Sequence, residues 1–89
     1  MFNLKKFNIN SLDFENLLKL QNNKCAICKK LESANDKHTN IKRLLAVDHC
    51  HKTNKVRGLL CTNCNLLLGH SKDNIKILEE AINYLKLNN

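Results

Sequence analysis

The sequence predicts an α+β fold: a small domain built on a β-hairpin with flanking helices and stapled by a bound metal ion. Three observations carry that prediction. The chain has 89 residues, and chains so short rarely bury enough apolar surface to hold together without a disulfide, a metal or a partner subunit. Four of its five cysteines form two Cys-x-x-Cys pairs, Cys25/Cys28 and Cys61/Cys64. Two aliphatic runs of strand length lie between the pairs, and stretches of helical periodicity lie outside them. Residues 1 to 10 read as a loose N-terminal arm, and residues 11 to 89 as one metal-stabilised domain.

Residues 11 to 21 read as the first helix. Asn10 or Ser11 can cap it, and Asp13 and Glu15 suit the positive end of its dipole. Phe14, Leu17, Leu18 and Gln21 follow i, i+3, i+4, i+7 spacing and share one face. With two glycines and no proline in the chain, turns fall to Asn and Asp, and Asn22-Asn23 is expected to end this helix in left-handed geometry. A tight turn from Cys25 to Cys28 follows, then a polar loop over residues 29 to 40. Residues 41 to 48, with Leu44, Leu45 and Val47, read as a strand. Residues 51 to 54 make the turn, and residues 55 to 60 the return strand, where Gly58 permits a bulge or a close backbone approach. Residues 61 to 69 begin as a second cysteine turn and continue as a short helix ended by Gly69. Asp73 is placed to cap a last helix whose apolar stripe is Ile75, Leu78, Ile82 and Leu85. Three Phe, one Tyr and no Trp leave the core to aliphatic side chains.

The cysteine pairs fit structural zinc. Zinc favours a closed tetrahedron of thiolates, and each Cys-x-x-Cys turn offers two sulfurs to one side of an ion. Cys25, Cys28, Cys61 and Cys64 fill all four positions, so such a zinc stabilises the fold and leaves no open position for catalysis. A redox Cys-x-x-Cys is the alternative, but redox pairs seldom come twice in so short a chain. No apolar h-region follows the two lysines of the first ten residues, so no secretion signal is expected. The pairs therefore read as metal ligands in a reducing compartment rather than as disulfides. No apolar run approaches the roughly 18 residues of a membrane span. Cys50 is left over and reads as a small apolar filler or strand-end residue, with an alternate ligand role the minor reading.

A second cluster carries chemistry. Asp48, His49 and His51 fall where the first strand meets the turn. A carboxylate can hold a hard cation such as Mg²⁺, and an imidazole can take a proton from water. In a regular strand Asp48 and His49 point to opposite faces, so a bend or bulge must re-aim one of them, while His49 and His51 share a side. Asn65 follows Cys64 directly, so the zinc clamp pins it near this hairpin. Arg57, on the return strand, can hold a phosphate through two hydrogen bonds. The plainer assignment makes Asp48 a cap, the two histidines surface residues and Asn65 a helix cap. The formal net charge is +7, which attracts polyanions, nucleic acid first among them; a merely Lys-rich soluble surface is the alternative.

The run LLAVDHCHKTNKVRGLLCTNCNLLLG, with LLKLQNNKCAIC before it and ILEEAINYL after it, closely resembles the recombination endonuclease VII family, within the HNH or ββα-metal nucleases. The resemblance extends over about residues 14 to 84. It implies that Asp48 and Asn65 bind a catalytic Mg²⁺ or Mn²⁺. His49 would be the general base, His51 a contact to the scissile phosphate or the leaving side, and the four cysteines the ligands of structural Zn²⁺. Asp48 stands at the first position of the family's HNH pattern. Arg57, Lys52 and Lys55 are the candidate DNA contacts, on charge and place alone. His38 and His70 match no motif position and read as surface histidines.

The expected function is a metal-dependent DNA endonuclease hydrolysing phosphodiester bonds, with branched or nicked DNA as candidate substrates. It would act in the cytoplasm or in the interior of a host cell, a phage-encoded origin suiting the family. The alternative is a non-catalytic zinc module that binds nucleic acid; a protein-interaction zinc ribbon explains the cysteines but not the charge. The last helix packs either on its own domain or, in a homodimer, on a partner's.

Overall fold

The computed structural model describes residues 10 to 32, 38 to 41 and 43 to 88. The expected N-terminal arm therefore lies outside the described residues except for Asn10, as does the middle of the polar loop. The order is α1 (Ser11–Leu20), β1 (Ala46–His49), β2 (Val56–Leu60), α2 (Thr62–His70) and α3 (Ile75–Asn88). The two strands pair antiparallel, giving the predicted helix, hairpin, helix, helix sequence.

Helix α1 starts where its chemistry predicts. The Asn10 side chain accepts from the Asp13 amide at 2.9 Å, and the Asp13 carboxylate accepts from the Asn10 amide at 3.1 Å, so two otherwise orphaned donors are satisfied reciprocally. Asn22 and Asn23 end it with φ of 55° and 62°, as expected of Asn, whose short polar side chain tolerates this region. Gln21 is a correction: it lies one residue past the helix, and its side chain does not join the apolar face. Its Nε2 donates to Leu59 O at 2.9 Å and to Lys24 O at 2.8 Å, and its Oε1 accepts from Leu59 N at 2.9 Å. Ala26 N donates to Leu59 O at 3.0 Å on the same edge. One side chain and one turn amide thus satisfy the outer edge of β2, which would otherwise present unpaired backbone. Gly58 allows this close approach, since a Cβ there would crowd Gln21 Oε1 at 3.2 Å.

The first strand is shorter than the expected residues 41 to 48. Ile41 and Leu44 are exposed, while Leu45 and Val47 are buried, so only the part facing β2 is drawn into the ladder. Asp48 pairs with Gly58 and His49 with Val56. That register passes over Arg57, the bulge that the Asp48-His49 pair demanded. Phe14, Leu45, Val47, Leu59 and Leu60 pack with Cys25, Cys61 and Cys64 to form the core. Helix α1 packs on β2, and α2 on both strands.

The second half departs further from expectation. Gly69 does not end α2, which runs to His70 with Ser71 as its C-cap; the left-handed turn falls on Lys72 and Asp73, at φ 55° and 57°. Asp73 does not cap α3, because Asn74 Oδ1 accepts the Ile77 amide at 3.0 Å and leaves Asp73 free for another contact. No residue of α3 is buried. Ile75, Ile82 and Leu85 of the predicted stripe are exposed, and only Leu78 is partly covered. No helix among the described residues is long and apolar enough to cross a membrane.

Candidate functional site

Two clusters lie at opposite ends of the hairpin. The first is the cysteine cluster. The turn at residues 25 to 28 is closed by Lys29 N to Cys25 O at 3.1 Å and Cys25 N to Lys30 O at 2.9 Å. The second turn is the start of α2, where Cys61 is the N-cap and its sulfur accepts from Cys64 N at 3.4 Å. The four ligand sulfurs lie within 4.8 Å of one another, and Cys28 and Cys61 sulfurs are 3.8 Å apart. Tetrahedral zinc with bonds of about 2.3 Å requires sulfurs about 3.8 Å apart, so the four cysteines are positioned to bind a metal, consistent with structural zinc. Among the described residues no other group of three or more His, Cys, Asp or Glu comes together in this way.

The cluster without metal is electrostatically uneven. Burial pushes Cys61 up, and pushes Cys64 up to about 12. Burial also opposes ionisation of Cys25, but the amides of Cys61, Cys28 and Ile27 outweigh it and lower Cys25 to about 6. One thiolate is therefore ready for a cation, while Cys61 and Cys64 must surrender protons to it. Sequence reasoning missed one support of this cluster. Glu32 is buried and accepts from the Thr62 amide at 2.7 Å and the Thr62 hydroxyl at 2.9 Å. Its charge sits at the positive end of α2 and fixes the helix start beside Cys61. No local motif announces a capping residue 30 positions upstream.

The second cluster lies at the hairpin's turn. Cys50 N donates to Lys55 O at 2.8 Å and Asn54 N to Cys50 O at 2.7 Å, closing the turn, with Asn54 at φ 61°. Cys50 is apart from the four-cysteine group. The His49 and His51 rings are 4.8 Å apart between centroids, so the two histidines do share a side. Asp48 is held by Arg57: Nε donates to Oδ2 at 2.7 Å and Nη2 to Oδ1 at 2.9 Å. The Asp48 hydrogen bonds raise the Arg57 pKa further above its already high ordinary value. Asn65 is exposed in the first turns of α2, with its amide on Cys61 O at 2.9 Å. Lys52 and Lys55 are exposed on the turn, and His38 and His70 lie on the surface.

The residue missed here is Asp73. Its carboxylate is 3.4 Å from Arg57 Nη2 and 3.6 Å from His51 Nε2, joining the α2–α3 turn to the hairpin. Its sequence position suggested a helix cap; only the left-handed backbone turns it elsewhere. Beside this contact lies an open cleft of about 790 Å³ lined by His51, Lys52, Arg57, Leu68, Lys72 and Asp73 among others. Three of these side chains are cationic, which suits an anionic ligand.

Fold and clusters together define a small metal-clamped α+β domain with a carboxylate, two histidines and a basic cleft at one end of its hairpin. The chain belongs to the recombination endonuclease VII family, whose profile matches residues 3–87. It is 40% identical over 84 residues to the gene 59 protein of Mycobacterium phage D29, covering 93% of this chain and 47% of that protein. It is 41% identical over 83 residues to the gene 59 protein of Mycobacterium phage L5, covering 92% and 46%. The chain thus spans about half the length of these phage relatives. No solved structure matches it.

Proposed function

We propose that this chain is an HNH-type, metal-dependent DNA endonuclease that hydrolyses phosphodiester bonds, with branched or nicked DNA as its preferred substrate. The observation that carries this reading is the placing of Asp48, His49 and His51 at one end of a hairpin that the cysteine cluster fixes to the Asn65 helix, in a chain of the endonuclease VII family. Asp48 offers carboxylate oxygens and Asn65 an amide oxygen, hard donors of the kind Mg²⁺ and Mn²⁺ take. A divalent ion held there would supply Lewis-acid charge to the scissile phosphate. His49 takes the proton of the attacking water. His51, 71% exposed in its side chain, contacts the phosphate or the leaving side. Arg57, Lys52, Lys55 and Lys72 grip the DNA backbone without reading sequence, so affinity falls steeply with salt. Mycobacteriophage relatives support action inside a host cell, and the exposed apolar side of α3 is compatible with a homodimer.

One observation favours a second reading. Both Asp48 oxygens are occupied by Arg57, as in a module that binds DNA through its basic face and performs no chemistry. Cleavage of supercoiled plasmid and of a synthetic four-way junction by zinc-loaded protein, with Mg²⁺, Mn²⁺ or EDTA, separates the two. The nuclease reading expects metal-dependent cutting that His49→Ala lowers by about a hundredfold or more. Cutting by His49→Ala at the parent rate would remove His49 from the mechanism. Salt-sensitive binding with no cutting under any metal would establish the second reading.

A further inference from the structure

Arg57 is shared between two carboxylates, and the sharing is unequal. It is bidentate on Asp48, at 2.7 and 2.9 Å, while its Nη2 stands 3.4 and 3.5 Å from the two oxygens of Asp73. The Asp48 side chain is 12% exposed and that of Asp73 24%, so neither is fully hydrated and each gains from a cationic partner. The oxygens that Arg57 holds are the ones a hard cation would need at Asp48. Two positive groups on one carboxylate repel, so a cation that binds there weakens the hold of Arg57 and binds tighter as Arg57 withdraws. Asp73 already faces the same guanidinium nitrogen. It is aimed there by a left-handed backbone, φ 57°, and its amide is fixed on Leu68 O at 3.0 Å. A small swing of the guanidinium thus exchanges one carboxylate for the other and keeps Arg57 paired and beside the cleft.

We propose that Asp73 is a positioning residue that draws Arg57 away from Asp48 when a divalent cation binds, and so sets the affinity of Asp48 for that cation. This rests on the reading of Asp48 as a cation ligand. The test is Mn²⁺ binding to the zinc-loaded full chain without DNA, followed by loss of the free-ion electron paramagnetic resonance signal. The parent is compared with Asp48→Asn, Asp73→Asn, Asp73→Glu, Arg57→Gln and the Arg57→Gln/Asp73→Asn double variant.

The expected pattern is loss of the site in Asp48→Asn and tighter binding in Arg57→Gln, which lacks the competitor. Asp73→Asn weakens binding about threefold to fivefold, the scale of a partly exposed ion pair, and Asp73→Glu restores it. In the Arg57→Gln background the Asp73 change has no further effect, because there is no guanidinium left to draw away. Unchanged affinity in Asp73→Asn would overturn the proposal. So would an equal loss with and without Arg57, since Asp73 would then act as a plain negative charge. If Asp48→Asn binds Mn²⁺ as the parent does, the cation site itself fails, an outcome distinct from both.

Discussion

The two ends of the hairpin are built on opposite principles. At the end where β1 begins and β2 finishes, Val47, Leu59, Leu60 and Cys61 are all at most 7% exposed, and among the described residues no buried side-chain nitrogen or oxygen lacks a hydrogen-bond partner. At the turn end, His51, Lys52 and Lys55 are exposed, and Asp48, Arg57, Asp73 and His51 form a chain of charge contacts. The same short ladder joins them. The buried end settles where the strands and α2 lie; the open end spends that rigidity on placing side chains at water. The bulge at Arg57 marks the border, since it shifts the register and so re-aims the residues on its turn side. Substitutions at the buried end should therefore act on folding, and substitutions at the open end on binding and chemistry with little loss of fold.

The largest effect is expected from the metal. Structural zinc in small domains is worth roughly 10 kcal/mol or more of folding free energy, as much as the whole stability of a typical domain. Cys25→Ser, at a residue 1% exposed, or chelation of the parent, should abolish cooperative thermal unfolding followed by circular dichroism. Acid should act in the same direction. Burial keeps Cys61 and Cys64 protonated near neutral pH, so zinc binding expels their protons. Affinity then falls by at least about a hundredfold per pH unit as pH drops, these two protons being released. Below about pH 6, where Cys25 also takes up a proton, the fall steepens. Competition titration with a chromogenic chelator between pH 5.5 and 8 measures this; a flat profile would mean that the thiols are already ionised.

Gln21 gives a smaller and more local test of the buried end. Gln21→Ala removes the acceptor of the Leu59 amide, on a residue 0% exposed. Leaving a buried donor unsatisfied costs about 1–3 kcal/mol. Urea unfolding in saturating zinc should show that loss as a lower midpoint with an unchanged slope. DNA affinity should stay at the parent value. An equal loss of DNA binding would break the separation of the two ends.

Much of this is legible in the sequence, for reasons that differ by residue. Local chemistry names itself, so an Asn10 cap with an acidic first turn, the left-handed Asn22-Asn23 and the two cysteine turns follow from short spacings, though the reciprocal Asp13 bond does not. The Asp48-His49 conflict of faces required a bend, and the register breaks there. What stayed hidden depends on contacts between distant parts of the chain. Gln21 read as a helix-face residue because its 3.6-residue phase fits, yet the helix stops one residue earlier and its amide serves β2, 38 positions away. Glu32 reaches Thr62, and Asp73 reaches Arg57, with no pattern to link them. For α3 the apolar stripe was read correctly, but periodicity says only that a face wants cover. It does not say that the domain supplies it, and here Ile75, Ile82 and Leu85 remain open.

The mildest test concerns Cys50, which belongs to the open end. The hydrogen bond from the Thr53 side chain, with the Thr53 and Lys52 amides, lowers its pKa to about 7. Thiolate is the reactive form, so alkylation by iodoacetamide should rise with pH and reach half its maximal rate near pH 7. A simple thiol would do so at about 8.5. In the zinc-loaded protein the other four cysteines are engaged, so intact-mass spectrometry should find a single adduct, at Cys50. Thr53→Val should move the midpoint upward while lowering the thermal transition only slightly, since it removes the exposed Lys55 amide's acceptor at 3.3 Å but keeps the backbone pairs of Cys50 with Lys55 and Asn54. Modification spread over several cysteines would show that the cluster opens readily and that the buried end is less closed than its geometry. A Thr53→Val midpoint equal to the parent's would assign the low pKa to the backbone amides alone.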